Sequence, residues 1–353
     1  MYSDLIGNSD IAAALRRMAK ARRVPQSLLF AGLEGTGKKQ FAIELARTLV
    51  CGVGADGEGC GDCSACKRSG QFDVPKADQS EDYDRVFLAH HPDVGLIYSP
   101  KRLIRVGAIR ALEAEANYRP LEAENRVFII DEADKMNKEA ANALLKTLEE
   151  PPANVYIVLV TSRPDALLQT IRSRCQMIRF APVAAREICD LLVSKFQRRP
   201  DEAALASRLC GGSIAAAIEF DVAAFRSLRA VCLEVLKASI CRGGFYGMLE
   251  ASERLADTKR SDLFESGLKT LLTLKRDALA IRAGAGLDQI ANFDIASELG
   301  EIAKALPASL LAERFRAIED VLKNQEVNIN RKVALDGLFA NMAKHVPFTA
   351  LQD

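Results

Sequence analysis

The sequence has no tryptophan, and aromatic residues make up only 6% of its 353 positions. That scarcity argues against a stacking platform for unpaired bases. An excess of charge is missing too: 48 Lys and Arg stand against 47 Asp and Glu. A chain so balanced is not a stand-alone polyanion binder, although local basic patches remain open to it. No apolar run reaches the length of a membrane span. The N-terminus "MYSDLIGNSD" lacks the basic-then-apolar profile of a secretion signal, so a cytoplasmic location is expected. In that compartment nine cysteines are not a disulfide framework. What is present is ordinary for a soluble globular protein, 49% hydrophobic and 27% charged residues. The length calls for two or three domains.

Apolar periodicity organises the chain. Ser9 and Asp10 offer caps for an amphipathic helix running to about Arg22. "SLLFAG" (27–32), "RVFIID" (126–131) and "VYIVLVTS" (155–162) read as buried parallel strands. Between and after them lie helical patterns: "KKQFAIELARTLV", "RVGAIRALEAEANY", "KEAANALLKTLEE" stopped by Pro151 and Pro152, and the short "ALLQTIRSRC". Strands alternating with helices predict a parallel sheet with helices on both faces. Residues 67–93 are polar and irregular, and 71–85 look like an exposed insertion. After about Phe180 only helical patterns remain, which places one boundary near 180 and another near 220. No internal repeat is evident.

Three elements of this α/β part carry phosphate chemistry. "GLEGTGKK" (32–39) follows a strand and opens a helix, the context of a phosphate-binding loop. Its glycines Gly32, Gly35 and Gly37 would let backbone N–H groups wrap phosphate, and Lys38 would neutralise charge. The eighth position calls for a Ser or Thr hydroxyl to hold Mg²⁺, yet Lys39 stands there. The second element is Asp131-Glu132 at a strand end, where Asp131 would position the metal and Glu132 would polarise water. Thr161 or Ser162, at the tip of the next strand, could sense the terminal phosphate. In the third, Ser173-Arg174-Cys175, the arginine is either a surface residue or a finger aimed at phosphates bound elsewhere.

Cys51, Cys60, Cys63 and Cys66 form C-x8-C-x2-C-x2-C in a glycine-rich stretch. Four thiolates with no fifth group suit a closed tetrahedral Zn²⁺, with an iron–sulfur cluster or a redox pair as alternatives. The other five cysteines read as small buried hydrophobes. His90 and His91, before Pro92 and Asp93, read as a structural turn.

Taken in order, the glycine loop, the four-cysteine module, "HHPDVGLI" and the run "RVFIIDEADKMNKEAANALLKTLEEPPANVYIVLVTSRPDALLQTIRSRCQ" resemble the clamp-loader family of AAA+ proteins. The likeness is dense over about residues 5–50 and 88–220 and thins beyond. It implies an α/β parallel-sheet P-loop core at 1–180 with an inserted zinc module at 51–66. A helical lid at 181–220 and an all-α collar for oligomerisation at 221–353 would follow. It also implies a function within bacterial DNA polymerase III, where the loader uses ATP to open the sliding clamp and place it on primed DNA. In such assemblies the arginine of Ser-Arg-Cys reaches a neighbouring subunit's phosphates, which assigns Arg174 a role in trans. Two departures from the family's ATPase pattern stand out. Lys39 replaces the metal-binding hydroxyl, and Ala215 stands where hydrolysing relatives carry a phosphate-sensing arginine. The expectation is therefore a subunit without ATPase activity of its own, inside a polymerase complex with other loader subunits. An ATPase-active gamma/tau-type subunit and an unrelated P-loop ATPase are the alternatives.

Overall fold

The computed structural model describes residues 1–75, 83–98, 103–241, 244–256, 261–323 and 330–344. Residues 76–82, the interior of the 71–85 segment, lie outside that set. The chain divides into two compact units, one of residues 1–191 with 211–218 and the other of 192–210 with 219–353.

The first unit opens with α1 (Ser9–Lys20), β1 (Ser27–Gly32), α2 (Lys38–Val50) and α3 (Ser64–Arg68). Next come β2 (Phe87–Leu88), β3 (Val94–Ile97), α4 (Val106–Ala116), β4 (Arg126–Ile130) and α5 (Lys138–Glu149). β5 (Val155–Thr161), α6 (Gln169–Arg172), β6 (Gln176–Phe180) and α7 (Ala185–Ser194) complete the α/β series. The six strands lie in the order β2-β3-β4-β5-β1-β6. Every neighbouring pair is parallel except β2 with β3. The three strands read from sequence occupy the middle of the sheet, where both faces are covered. Along β4, Phe128 and Ile130 face one core with α4, α5 and α6, while Val127 and Ile129 face the other with α1 and α2. Burial on both sides is what makes these strands uninterrupted apolar runs, each fully buried Leu, Ile or Phe being worth about 1.5–3 kcal/mol.

The structure adds β2, β3 and β6, which the sequence reading did not separate. β3 is four residues long and contains Gly95, while β6, "QMIRF", is an edge strand whose first four residues are not buried. The start of α1 also differs. Its N-cap is Asn8, in a left-handed conformation (φ 53°), and the side chain is spent on Ala181 rather than on the helix.

The second unit is helical: α8 (Pro200–Leu209), α10 (Val222–Ala238), α11 (Phe245–Leu255), α12 (Ser261–Arg282), α13 (Ala296–Ala305), α14 (Ala308–Lys323) and α15 (Arg331–Lys344). A short helix of the first unit, α9, begins at Ile214. α12 packs against α10, α13 and α14 around Leu268, Leu271 and Leu274. Among the described residues no helix is long and apolar enough to cross a membrane.

Buried charges punctuate this helical core. Asp277 accepts from the Asn292 backbone and side-chain amides at 2.7 and 2.8 Å. Arg314 donates to the Ser239 hydroxyl and to the Met342 carbonyl. Lys275, 1% exposed, reaches only the Met342 sulfur, at 3.9 Å, among the described residues. Burial, reinforced by Arg314, holds its amine well below the ordinary lysine value. The unfolded chain then binds a proton that the folded chain does not. Stability is accordingly greatest above the ordinary lysine value and declines as pH falls toward the folded one. Lys275→Met should remove this slope and raise unfolding free energy by about 1–3 kcal/mol, the cost of a buried polar group without a good partner. Denaturant melts of both proteins across alkaline pH check this, and an unchanged slope in the variant would exclude Lys275 as its source.

Candidate functional site

Parallel pairing aligns Ala31 of β1 with Thr161 of β5, and Ile130 of β4 with Leu159 of β5. The glycine loop, Asp131 and Thr161 therefore emerge along one edge of the sheet. Gly32, Gly35 and Gly37 all have positive φ (154°, 75° and 89°). Packing imposes two of them. A Cβ on Gly32 would lie 2.5 Å from the Phe180 carbonyl oxygen, and one on Gly35 only 2.2 Å from Ser213 Oγ.

Cations and carboxylates of this edge are matched within the chain. Lys38 is buried, and its Nζ donates to the carbonyls of Gly32 (2.8 Å) and Leu33 (2.5 Å). Burial lowers its pKa against the raising effect of Asp131. Lys39 Nζ sits 3.0 Å from the Asp131 carboxylate and 5.1 Å from the centre of the Tyr98 ring. Glu132, left-handed at φ 50°, is paired with Lys135 at 2.7 Å. Thr161 Oγ1 donates to Asp134 at 2.6 Å, and Arg163 reaches the same carboxylate at 2.9 Å. Burial alone would raise Asp134; the Thr161 and Arg163 bonds outweigh it and hold the carboxyl below its ordinary value. On the far side of the loop, Ile214 and Ala215 donate their N–H groups to the Gly35 carbonyl at 2.8 and 3.3 Å. A site for Mg²⁺ and nucleotide needs a hydroxyl at position 39 and a free carboxylate at 131. The residues present do not fit: one is a lysine, and it occupies the other.

Arg174 lies just beyond α6. Its Nη1 donates to the Thr170 carbonyl at 2.9 Å, and Nη2 is paired with Glu149. The fork remains one-third exposed.

The four cysteines converge. Their sulfurs all lie within 4.8 Å of one another, with Cys51 to Cys63 and Cys60 to Cys66 both at 3.8 Å. A disulfide needs about 2.05 Å. Four sulfurs at the Zn–S distance of about 2.3 Å from one centre form a tetrahedron with edges of about 3.8 Å. Backbone N–H groups of Cys60, Cys63 and Cys66 each point at a cluster sulfur at 3.4 Å. Such bonds, chiefly from Cys63 and Asp62, lower the Cys60 thiol to about 6, whereas burial pushes the Cys66 thiol up. The cluster could hold a metal ion, and its spacing is consistent with structural zinc.

Neither histidine joins it. His91 is buried, its Nδ1 accepts from the Asp93 backbone at 3.2 Å, and burial lowers its pKa. Asp93, equally buried, accepts from the backbones of Leu121, Glu122 and Ala123 at 2.7–2.9 Å. The Val94 N–H closes a turn on the His91 carbonyl at 3.2 Å, while His90 faces Asp73 at 3.1 Å. Sequence reasoning missed the Lys39–Asp131 pair, although its signal was available: a cation one residue past Lys38, and an acid ending a neighbouring strand.

The sequence is similar to proteins of known name. Residues 7–184 match the family described as DNA polymerase III, delta subunit. The chain is 29% identical over 309 residues to DNA polymerase III subunit delta' of Bacillus subtilis, spanning 87% of this chain and 88% of that protein. To the delta' subunit of Escherichia coli it is 30% identical over 292 residues, spanning 83% and 80%. To the gamma/tau subunit of Mycobacterium bovis it is 32% identical over 191 residues, or 54% of this chain and 30% of that protein.

The glycine loop yields its own expectation. Gly35→Ala adds a methyl group against Ser213 at a left-handed φ and should cost about 1–3 kcal/mol. Thermal unfolding measures it; an unperturbed melt would mean that the 213–215 segment does not rest on the loop.

Proposed function

The chain belongs to the DNA polymerase III delta-subunit family, and on that premise we propose that it is a non-hydrolysing, delta-prime-type subunit of the clamp loader. It works in the cytoplasm beside delta and gamma/tau subunits, in a machine that opens the sliding clamp and places it on primed DNA. Residues 1–180 serve as the AAA+ core, 181–220 as the lid and 221–353 as the collar through which subunits assemble. Cys51, Cys60, Cys63 and Cys66 hold a structural zinc. One asymmetry carries the reading. The loop's own metal position is taken by Lys39, paired with Asp131, and its lid side presents Ala215. Arg174 nevertheless keeps a partly exposed fork. With no metal-bound phosphate of its own chain to meet, Arg174 acts in trans, exchanging its Glu149 partner for phosphates bound by a neighbouring ATPase subunit. The fork matters because it can bind two phosphate oxygens at once.

Arg174→Ala should leave assembly and metal content intact and lower the ATPase rate of the reconstituted loader with clamp and primed DNA. The loss should be on the order of 10³-fold or more at the one site served and smaller for the whole complex. Arg174→Lys should restore little. Normal turnover and loading by the alanine complex would sink the trans role. The isolated wild-type chain should show no ATPase activity, and robust turnover by it would favour the gamma/tau-type alternative.

Metal analysis of the purified chain should find one zinc for the four sulfurs, and Cys60→Ser should abolish it. Because metal binding and local folding are coupled, chelation should lower the melting temperature of wild type and leave Cys60→Ser unaffected. An iron–sulfur absorption band in anaerobic preparations would replace zinc with a cluster.

A further inference from the structure

We propose that the Lys39 ammonium stands in for the divalent cation of this loop, satisfying Asp131 from within the chain and so excluding a metal-bound nucleotide. This rests on the non-hydrolysing reading above and supplies its cause. A missing hydroxyl at position 39 would weaken metal binding and leave Asp131 available to water or to a loosely held ion. The structure shows something else: a cation has been added. Nζ is 3.0 Å from the carboxylate, whose side chain is only 14% exposed. The ammonium also lies over the Tyr98 ring, 5.1 Å from its centre.

The neighbouring acids show the same closure. Asp131, Glu132 and Asp134 each have one base of this chain: Lys39, Lys135 and Arg163, at 3.0, 2.7 and 2.9 Å. The Thr36 and Thr161 hydroxyls are spent on the Leu33 carbonyl and on Asp134. A divalent ion entering here would meet an ammonium already bonded to its anchoring carboxylate, and the two cations would repel in a partly desolvated pocket. Lys38 does not supply this function, because its ammonium turns back to the loop carbonyls.

The test is titration of the purified full chain with fluorescent N-methylanthraniloyl-ADP, with and without millimolar Mg²⁺. Wild type should show no gain in affinity from Mg²⁺. Lys39→Thr removes the ammonium and restores a hydroxyl, and should gain at least about tenfold from Mg²⁺, a magnitude typical of changes around a metal site. Lys39→Ser, a second variant against misfolding, should do the same. Asp131→Asn should cancel the gain in either background. A wild-type chain whose affinity Mg²⁺ raises tenfold would overturn the proposal, as would variants that fold but bind without a Mg²⁺ effect or not at all. Failure of the underlying reading would instead register as ATP turnover by wild type.

Discussion

Adjacent parallel strands end on the same edge of their sheet, and the chemistry of this chain depends on that constraint. β4, β5 and β1 are neighbours in register, so whatever follows Ile130, Thr161 and Gly32 is delivered to one place. Both faces of these strands are buried, which leaves the strand ends as the part of the sheet where polar groups can gather without penalty. A phosphate site, a metal site or a lattice of internal ion pairs could all be built there. In this chain internal ion pairs gather there. Each carboxylate of the edge has its own base, and the loop lysine is held by loop carbonyls.

Such closure has a thermodynamic meaning. Exposed ion pairs contribute little, but pairs at a half-buried edge matter because removing one partner strands the other. A ligand entering the loop must first separate partners that already satisfy one another. Arg174 is different. Its partner Glu149 is 49% exposed, against 14% for Asp131 beside Lys39, so water can compete for the carboxylate and the fork can be transferred to a phosphate at modest cost. The two ends of the same core thus differ in how readily they exchange internal partners for external ones.

The parts of this arrangement legible in the sequence were those set by local pattern. The central strands declared themselves because burial on two faces forces continuous apolar runs. The cysteine spacing declared itself because a short loop with four thiols has few other uses. β6 was not legible: an edge strand half in solvent carries no apolar signature. Nor was Asn8, whose side chain serves Ala181, 173 residues away. Lys275, Asp277 and Arg314 look like the charges of any solvated helix, and only tertiary packing shows them buried. At position 39 the sequence revealed the loss of a hydroxyl but not the destination of the ammonium, since that depends on how far Asp131 lies across the sheet.

The glycines of this loop have packing duties of their own. Gly32 is required where the backbone passes Phe180, and Gly35 where Ser213 and Ala215 rest on the turn. Neither requirement mentions phosphate. Lys38 likewise has a structural task, since its buried ammonium satisfies two carbonyls that the left-handed turn directs inward. Much of the phosphate-binding signature can thus be read as the covalent description of a tight strand-to-helix turn. The residue with no such packing duty, position 39, is the one that departs from the pattern. The shape of the loop is therefore held by packing and by the Lys38 bonds, none of which involves the side chain at position 39.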